Sequence, residues 1–268
     1  MPLTRRKALL CGGAVIAAPM LAGCQTNAAG RSAFTGLMST GQEKRMGAEY
    51  HPQMLRQFGG SYNDPALARY VGRIGGGLAL NTETPDLGYT FTVLDSDIVN
   101  AFAVPGGYVY ISRGLLALAR DESEMASVLA HELGHVTARH TAERYSQTML
   151  TQLGMVGLAI LSGNQQVMQL GQMGAQLVLA SWSQRQEFEA DMLGVRYLSR
   201  TGYDGDAMAS FLGRLREQSV LEARVRGLPP GAVDQTNLLS THPRTVDRVR
   251  EAQRAAAVSG GQGIANER

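Results

Sequence analysis

Residues 121–136 read DESEMASVLAHELGHV, and the pattern of that stretch decides how the chain folds around it. Asp121 followed three residues on by Glu124 resembles a capping box, the signal that starts a helix. Met125, Val128, Leu129, Leu133 and Val136 then recur at helical spacing and form one apolar stripe. At roughly 100° per residue, His131 and His135 stack one turn apart on a flank of that stripe, with Glu132 beside them. His140 lies about 140° further round, so it reaches the same point only if the helix breaks, and it is expected at the surface or behind the pair.

Two imidazoles placed that way reach one metal ion, and with the intervening glutamate they are the sequence mark of a zinc-dependent peptidase. Catalytic zinc takes three protein ligands and keeps one position open. Residues 183–191, SQRQEFEAD, offer Glu187 and Asp191 one turn apart on a second helix, which Gly202 stops. Phe188, Met192 and Val195 are expected to form its buried side. Glu187 can then ligate zinc while Asp191 accepts a hydrogen bond from the far nitrogen of a ligating histidine. Glu189, about 200° round from Glu187, should face elsewhere. Asp247 and Glu251 share the spacing, but Arg244, Arg248 and Arg250 crowd them and would compete for their charge, so Glu187 is the better candidate for third ligand.

His131-Glu132-Leu-Gly-His135 with Glu187-x-x-x-Asp191 resembles the gluzincin pattern. Residues 100–116, NAFAVPGGYVYISRGLL, and Thr241-His242-Pro243 with Arg248 are similar to the CAAX prenyl endopeptidase/HtpX metallopeptidases. The nearest likeness is to their bacterial periplasmic lipoprotein members, the BepA and LoiP type, over roughly residues 40 to 255. The resemblance implies an α+β fold: a mainly helical zincin-like metalloprotease domain with a small β-sheet beside the active-site helix. It implies one zinc at His131, His135 and Glu187, with Glu132 as the catalytic carboxylate. It also implies that Asn100 and Ala101 line the substrate cleft and that Arg248 faces it. His242 would lie close to the metal, donating to an oxyanion or filling the open position in a resting state.

Residues 89–95 alternate as a strand does, Val99 to Ala103 reads as another, and Tyr108 to Ile111 follows the turn Pro105-Gly106-Gly107. A polypeptide substrate can add to an open edge of such a sheet as an extended strand. Asp64 to Leu80 reads as a helix interrupted at Gly75-Gly76-Gly77. Pro243 suits the first turn of a helix ending near Ala256. Met149 to Leu161 and Gln165 to Ala180 read as a helical hairpin over the site, too short and too interrupted to span a bilayer.

Arg5, Arg6 and Lys7 precede the apolar run Ala8 to Met20, and Leu21-Ala22-Gly23-Cys24 closes it. Residues 1–23 therefore read as a secretory signal, and their end resembles a lipobox, which implies cleavage before Cys24 and its acylation. Gln25 favours the outer membrane over the inner for a lipid-anchored periplasmic protein. Paired arginines weakly resemble a twin-arginine export signal. Residues 24–40, rich in Ala, Gly, Ser and Thr, read as a flexible tether, 41–256 as the metallopeptidase domain and 257–268 as a loose tail. Removing the signal takes Cys11, so no intrachain disulfide is possible, and turns a formal charge of +2 into −1. That balance gives no case for nucleic-acid binding.

The expected activity is endoproteolysis, with Glu132 as general base to a zinc-activated water; that its substrates are misfolded or misassembled cell-envelope proteins is what the resemblance implies. A different class of function, an envelope chaperone or assembly lipoprotein with secondary or latent proteolysis, is the alternative. An inert structural zinc is disfavoured, because such sites use four protein ligands and seldom carry a catalytic glutamate.

Overall fold

The computed structural model describes residues 23–162, 180–229, 238, 242 and 246–260. The chain opens with two short antiparallel strands, β1 (Cys24–Thr26) and β2 (Ser32–Phe34), paired Cys24 to Phe34. This segment was expected to be a tether, yet Ala33, Thr35 and Met38 are buried. Its order comes from polar contacts made far along the chain, described below, which composition alone does not reveal.

Helix α1 (Thr40–Gln57) begins in a capping box between Ser39 and Gln42. Helix α2 (Pro65–Ala79) is capped by Asp64 and runs unbroken through Gly75–Gly77. Three strands follow, β3 (Thr90–Leu94), β4 (Ala101–Val104) and β5 (Tyr108–Ser112), in the order β3-β5-β4. β3 runs parallel to β5, with Phe91 opposite Val109, and β4 antiparallel to it, with Phe102 opposite Tyr110. The sheet is covered on both faces, which is why every residue of β4 is buried. Val93, Ala101, Ala103, Val109 and Ile111 join the main core, while Leu94, Phe102, Val104 and Tyr110 pack with Met54 of α1.

A short helix α3 (Arg113–Leu118) leads to the central helix α4 (Glu122–Thr137), buried continuously from Glu124 to His135. Asp121 caps it by accepting from the Glu124 N–H at 2.8 Å, but the expected box is half formed. The Glu124 carboxylate instead takes the Arg120 N–H and the Ser210 hydroxyl. Then come α5 (His140–Ser162), α6 (Gln184–Thr201), α7 (Ala207–Val225) and α8 (Val246–Gly260). The protein is thus mainly helical α+β, as read from sequence. Most of the hairpin expected over the site, and the signal segment, lie outside the described residues. Among those described, no helix is long and apolar enough to cross a membrane.

The crossing of α4 over α6 is set by two glycines. A Cβ on Gly134 would lie 2.8 Å from the Ala190 carbonyl oxygen, and one on Gly194 would lie 3.1 Å from the His131 nitrogen. Only hydrogen at both places lets the backbones meet so closely. Gly202 ends α6 in the left-handed conformation, φ 87°, as its position predicted.

Candidate metal centre

That close crossing brings the side chains of α4 and α6 to one point. His131 Nε2 lies 3.1 Å from His135 Nε2, and the Glu187 carboxylate approaches them at 3.7 and 3.4 Å. His242 completes the group, its Nδ1 3.0 Å from Glu187 Oε1 and 3.1 Å from His131 Nε2. One ligand atom from each of these four buried residues lies within 4.8 Å of the others.

The proton inventory shows what the cluster is suited to hold. Asp191 Oδ1 lies 2.8 Å from His131 Nδ1 and, as an ionised carboxylate, can only accept, which puts the ring proton there and leaves Nε2 a lone pair. His135 is fully buried, and burial keeps it neutral by pulling its pKa well below the usual value, against the opposing pull of Glu187. Two imidazole lone pairs and a carboxylate facing one another match the donor set of a catalytic zinc site. Among the described residues, Glu132 Oε1 and His242 Nε2 are buried without hydrogen-bond partners, 3.5 Å apart, beside the same point. A bound metal and its ligands would satisfy groups that the protein leaves unpaired.

Behind the cluster stands Arg248, 3% exposed. Its Nε and Nη2 donate to Asp191, each at 2.7 Å, and Nη1 lies 2.6 Å from Glu187 Oε2 in an ion pair without hydrogen-bond alignment. Arg248 also lines a small cavity together with His131, Glu132 and His242. Burial alone would push the carboxyl of Glu187 up, but Arg248, His242 and His135 outweigh it and hold the carboxyl well below the usual range. Burial likewise opposes ionisation of Asp191, and Arg248 and His131 overcome it. At His242 burial disfavours the imidazolium, yet Glu187 and Glu132 raise its pKa above normal. The atoms suited to a metal therefore also draw a proton toward His242.

The second flank was only partly legible. Glu189 faces away from Glu187, as its helical angle predicted, but it is buried rather than solvated. His140 Nε2 lies 3.2 Å from Glu189 Oε2, and His140 Nδ1 lies 2.8 Å from His135 Nδ1. The helix does break there: Arg139 adopts φ 55°, a left-handed value uncommon outside glycine, and His140 starts α5 folded back behind His135. Burial pushes the Glu189 carboxyl up, but hydrogen bonds from His140, Arg31 and Asn27 outweigh it and hold its pKa at about 2. Phe188 and Met192, expected on the buried side of α6, are half-buried and exposed; Leu193, Val195, Tyr197 and Leu198 fill that role. Trp182 was not anticipated; it stacks on His135 with ring centroids 4.6 Å apart.

On the approach to the cluster, β4 is an edge of the sheet. The Ser112 N–H donates to the Asn100 carbonyl at 2.9 Å. By the alternation of an antiparallel ladder, Ala101 and Ala103 then turn their backbone groups away from β5, although both residues are buried. Ala103 to Gly106 and His135 line one groove there. The Oδ1 of Asn100 is buried with no hydrogen-bond partner among the described residues. Cys24 is exposed at the start of β1. Asp247 and Glu251 lie outside the cluster, paired with Arg250 and Arg254.

Residues 65–256 match the sequence pattern of peptidase family M48. The chain is 32% identical over 228 residues to the beta-barrel assembly-enhancing protease of Escherichia coli K12, covering 82% of this chain and 45% of that protein. Its counterpart in Yersinia pestis is 34% identical over the same shares. The mitochondrial metalloendopeptidase OMA1 of Schizosaccharomyces pombe is 28% identical over 219 residues, 79% of this chain and 60% of the other. The chain spans about half the length of the curated relatives it matches.

Proposed function

Since the chain belongs to peptidase family M48, we propose that it is a zinc-dependent endopeptidase of the bacterial cell envelope, with misfolded or misassembled envelope polypeptides as its substrates. His131, His135 and Glu187 are the zinc ligands in this reading, Asp191 orients His131, and Glu132 is the general base. The observation that carries it is the convergence of lone pairs from two helices within 4.8 Å, beside a buried carboxylate oxygen with no hydrogen-bond partner among the described residues.

Bound there, zinc supplies the Lewis acidity that lowers a water's pKa toward ~7 and polarises a peptide carbonyl. Glu132 Oε1 takes the proton from the attacking water and passes it to the departing amine. The substrate lies extended along the outer edge of β4, pairing with Ala101 and Ala103, while Asn100 Oδ1 accepts one of its N–H groups. Arg248 contributes to the cleft by fixing Glu187 and Asp191. His242 would donate to the oxyanion in the working state or, in a resting one, would add its nitrogen to the three ligands.

That resting arrangement supports a second reading, in which the protein assists envelope assembly and holds its proteolysis latent. Cys24, acylated after signal removal, would tether the domain to the periplasmic side of a membrane, the outer one in preference. Its exposure at the start of β1 leaves it accessible for that role.

Digestion of casein by the purified chain, with and without a zinc chelator, tests the first reading. Cleavage that stops with the chelator and returns with zinc is the expected result. A chain that binds zinc yet never cleaves, even with His242 replaced by alanine, would move the conclusion to the assembly role. Comparing envelope proteomes from active and Glu132→Gln strains then identifies substrates as proteins that accumulate.

A further inference from the structure

The two histidines on α4 are supported in different ways. His131 hands its Nδ1 proton directly to a carboxylate, Asp191. His135 instead meets a third imidazole, His140, and only then a carboxylate, Glu189. Glu189 can only accept, so it requires the His140 proton on Nε2, which makes His140 Nδ1 an acceptor. His135 must then carry its own proton on Nδ1 and keep Nε2 a lone pair toward the metal position. Reversing both rings together would set a bare nitrogen of His140 against the Glu189 carboxylate and put the His135 proton where the metal belongs.

The direction of this chain of hydrogen bonds is thus fixed at its far end, and that end is held by the N-terminal strand pair. Asn27 closes the loop between β1 and β2 by accepting from the Arg31 N–H at 2.9 Å, and its amide donates to Glu189 Oε2 at 2.9 Å. Arg31 bonds Glu189 Oε1 through Nε, and its Nη1 and Nη2 fork onto the two oxygens of Glu143 of α5, both at 2.7 Å. The guanidinium is about one-fifth exposed, while Glu143 and Glu189 are buried. A fork of this kind fixes direction as well as charge.

We propose that Arg31, on the loop that follows Cys24, is a positioning residue for the metal ligand His135 and acts on it through Glu189 and His140. The inference rests on His135 being a ligand and goes further: the segment next to the membrane anchor is an outer wall of the metal centre. Orienting partners of this kind change metal affinity and ligand geometry without touching the metal.

The test is the zinc dissociation constant of the full chain, from competition with a chromogenic chelator, with the visible spectrum of the cobalt-substituted protein. His140→Leu should weaken zinc binding by about 10–100-fold and shift the cobalt bands. Arg31→Gln should weaken it by about 3–10-fold, with Arg31→Lys recovering part of the loss, because lysine restores the charge but not the fork. Glu189→Gln, nearly isosteric, carries the test if His140→Leu fails to fold. Zinc affinity and cobalt spectrum like wild type in Arg31→Gln and in Glu189→Gln, even with reduced stability, would overturn the proposal. A wild-type chain that binds no zinc would remove the metal reading itself, a distinguishable failure.

Discussion

The indole of Trp182 stacks on the imidazole of His135, with centroids 4.6 Å apart and planes inclined by 23°. Arg144 places its guanidinium carbon 3.7 Å from the centre of the same indole and donates to the carbonyls of Ala180 and Ser181. The contact between a cation and an indole face is worth about 0.5–2 kcal/mol. Arg144 therefore fixes the entry to α6 at the same place where Trp182 covers a metal ligand.

Trp182 is the only tryptophan in the chain, so the emission of the whole protein reports on this one position. Cobalt titrated into metal-free protein should quench it with one equivalent. In Glu187→Ala the quench should be lost or need a large excess of metal. Emission that ignores cobalt while elemental analysis finds it bound would place the metal elsewhere.

Glu132→Gln keeps the side-chain volume and removes the base. Casein cleavage should fall by about 10²–10⁴-fold or more, the usual contribution of a general base. Zinc content and unfolding midpoint should stay at wild-type levels, since Glu132 is not among the four residues whose atoms converge. Cleavage above one-tenth of wild type would remove Glu132 from its role.

Arg248 allows a comparison between a buried and an exposed arginine on one helix. Arg248 is 3% exposed and meets two buried carboxylates, whereas Arg250 lies 3.9 Å from Asp247 with both side chains largely in solvent. Arg248→Met strands Asp191 and Glu187 without their cation and should cost about 3–5 kcal/mol. Arg250→Met should cost no more than about 1 kcal/mol. Urea unfolding of both variants in chelator, where no metal compensates, gives the two values; equal losses would contradict the assignment.

What could be read from sequence follows from where the information sits. His131 with His135, and Glu187 with Asp191, are local pairs, and the 3.6-residue turn is enough to place each pair on one face. The same rule misled at Phe188 and Met192, because Glu187 and Asp191 are themselves buried and the polar residues of α6 do not mark its solvent side. His140 was placed behind the ligands only in general terms, because the turn at Arg139 is a single left-handed residue with no glycine to announce it. Arg31 was invisible: its partners lie 112 and 158 residues away, and nothing in a stretch of Ala, Gly and Ser encodes such distant pairing. Trp182 escaped notice for the same reason, since its stack depends on how two helices meet.

Gly134 lies between Glu132 and His135 in sequence and against Ala190 in space. In an exposed helix, alanine in place of glycine would gain about 1 kcal/mol of propensity. Here the added methyl would stand 2.8 Å from a carbonyl oxygen and 2.9 Å from a Cα, both backbone atoms that no rotamer change can move. The helices must separate by some tenths of an ångström, and Glu187 moves with α6. Overpacking of this kind costs about 1–3 kcal/mol, so it outweighs the propensity gain and Gly134→Ala should be destabilised. Zinc affinity should fall as well, although no ligand has changed. Gly213→Ala, on α7 with open space at the Cβ position, is the control and should be neutral or stabilised. Thermal unfolding of both variants with and without zinc measures the difference; a stabilised Gly134→Ala with unaltered zinc affinity would mean that the close crossing of α4 and α6 does not set the ligand geometry.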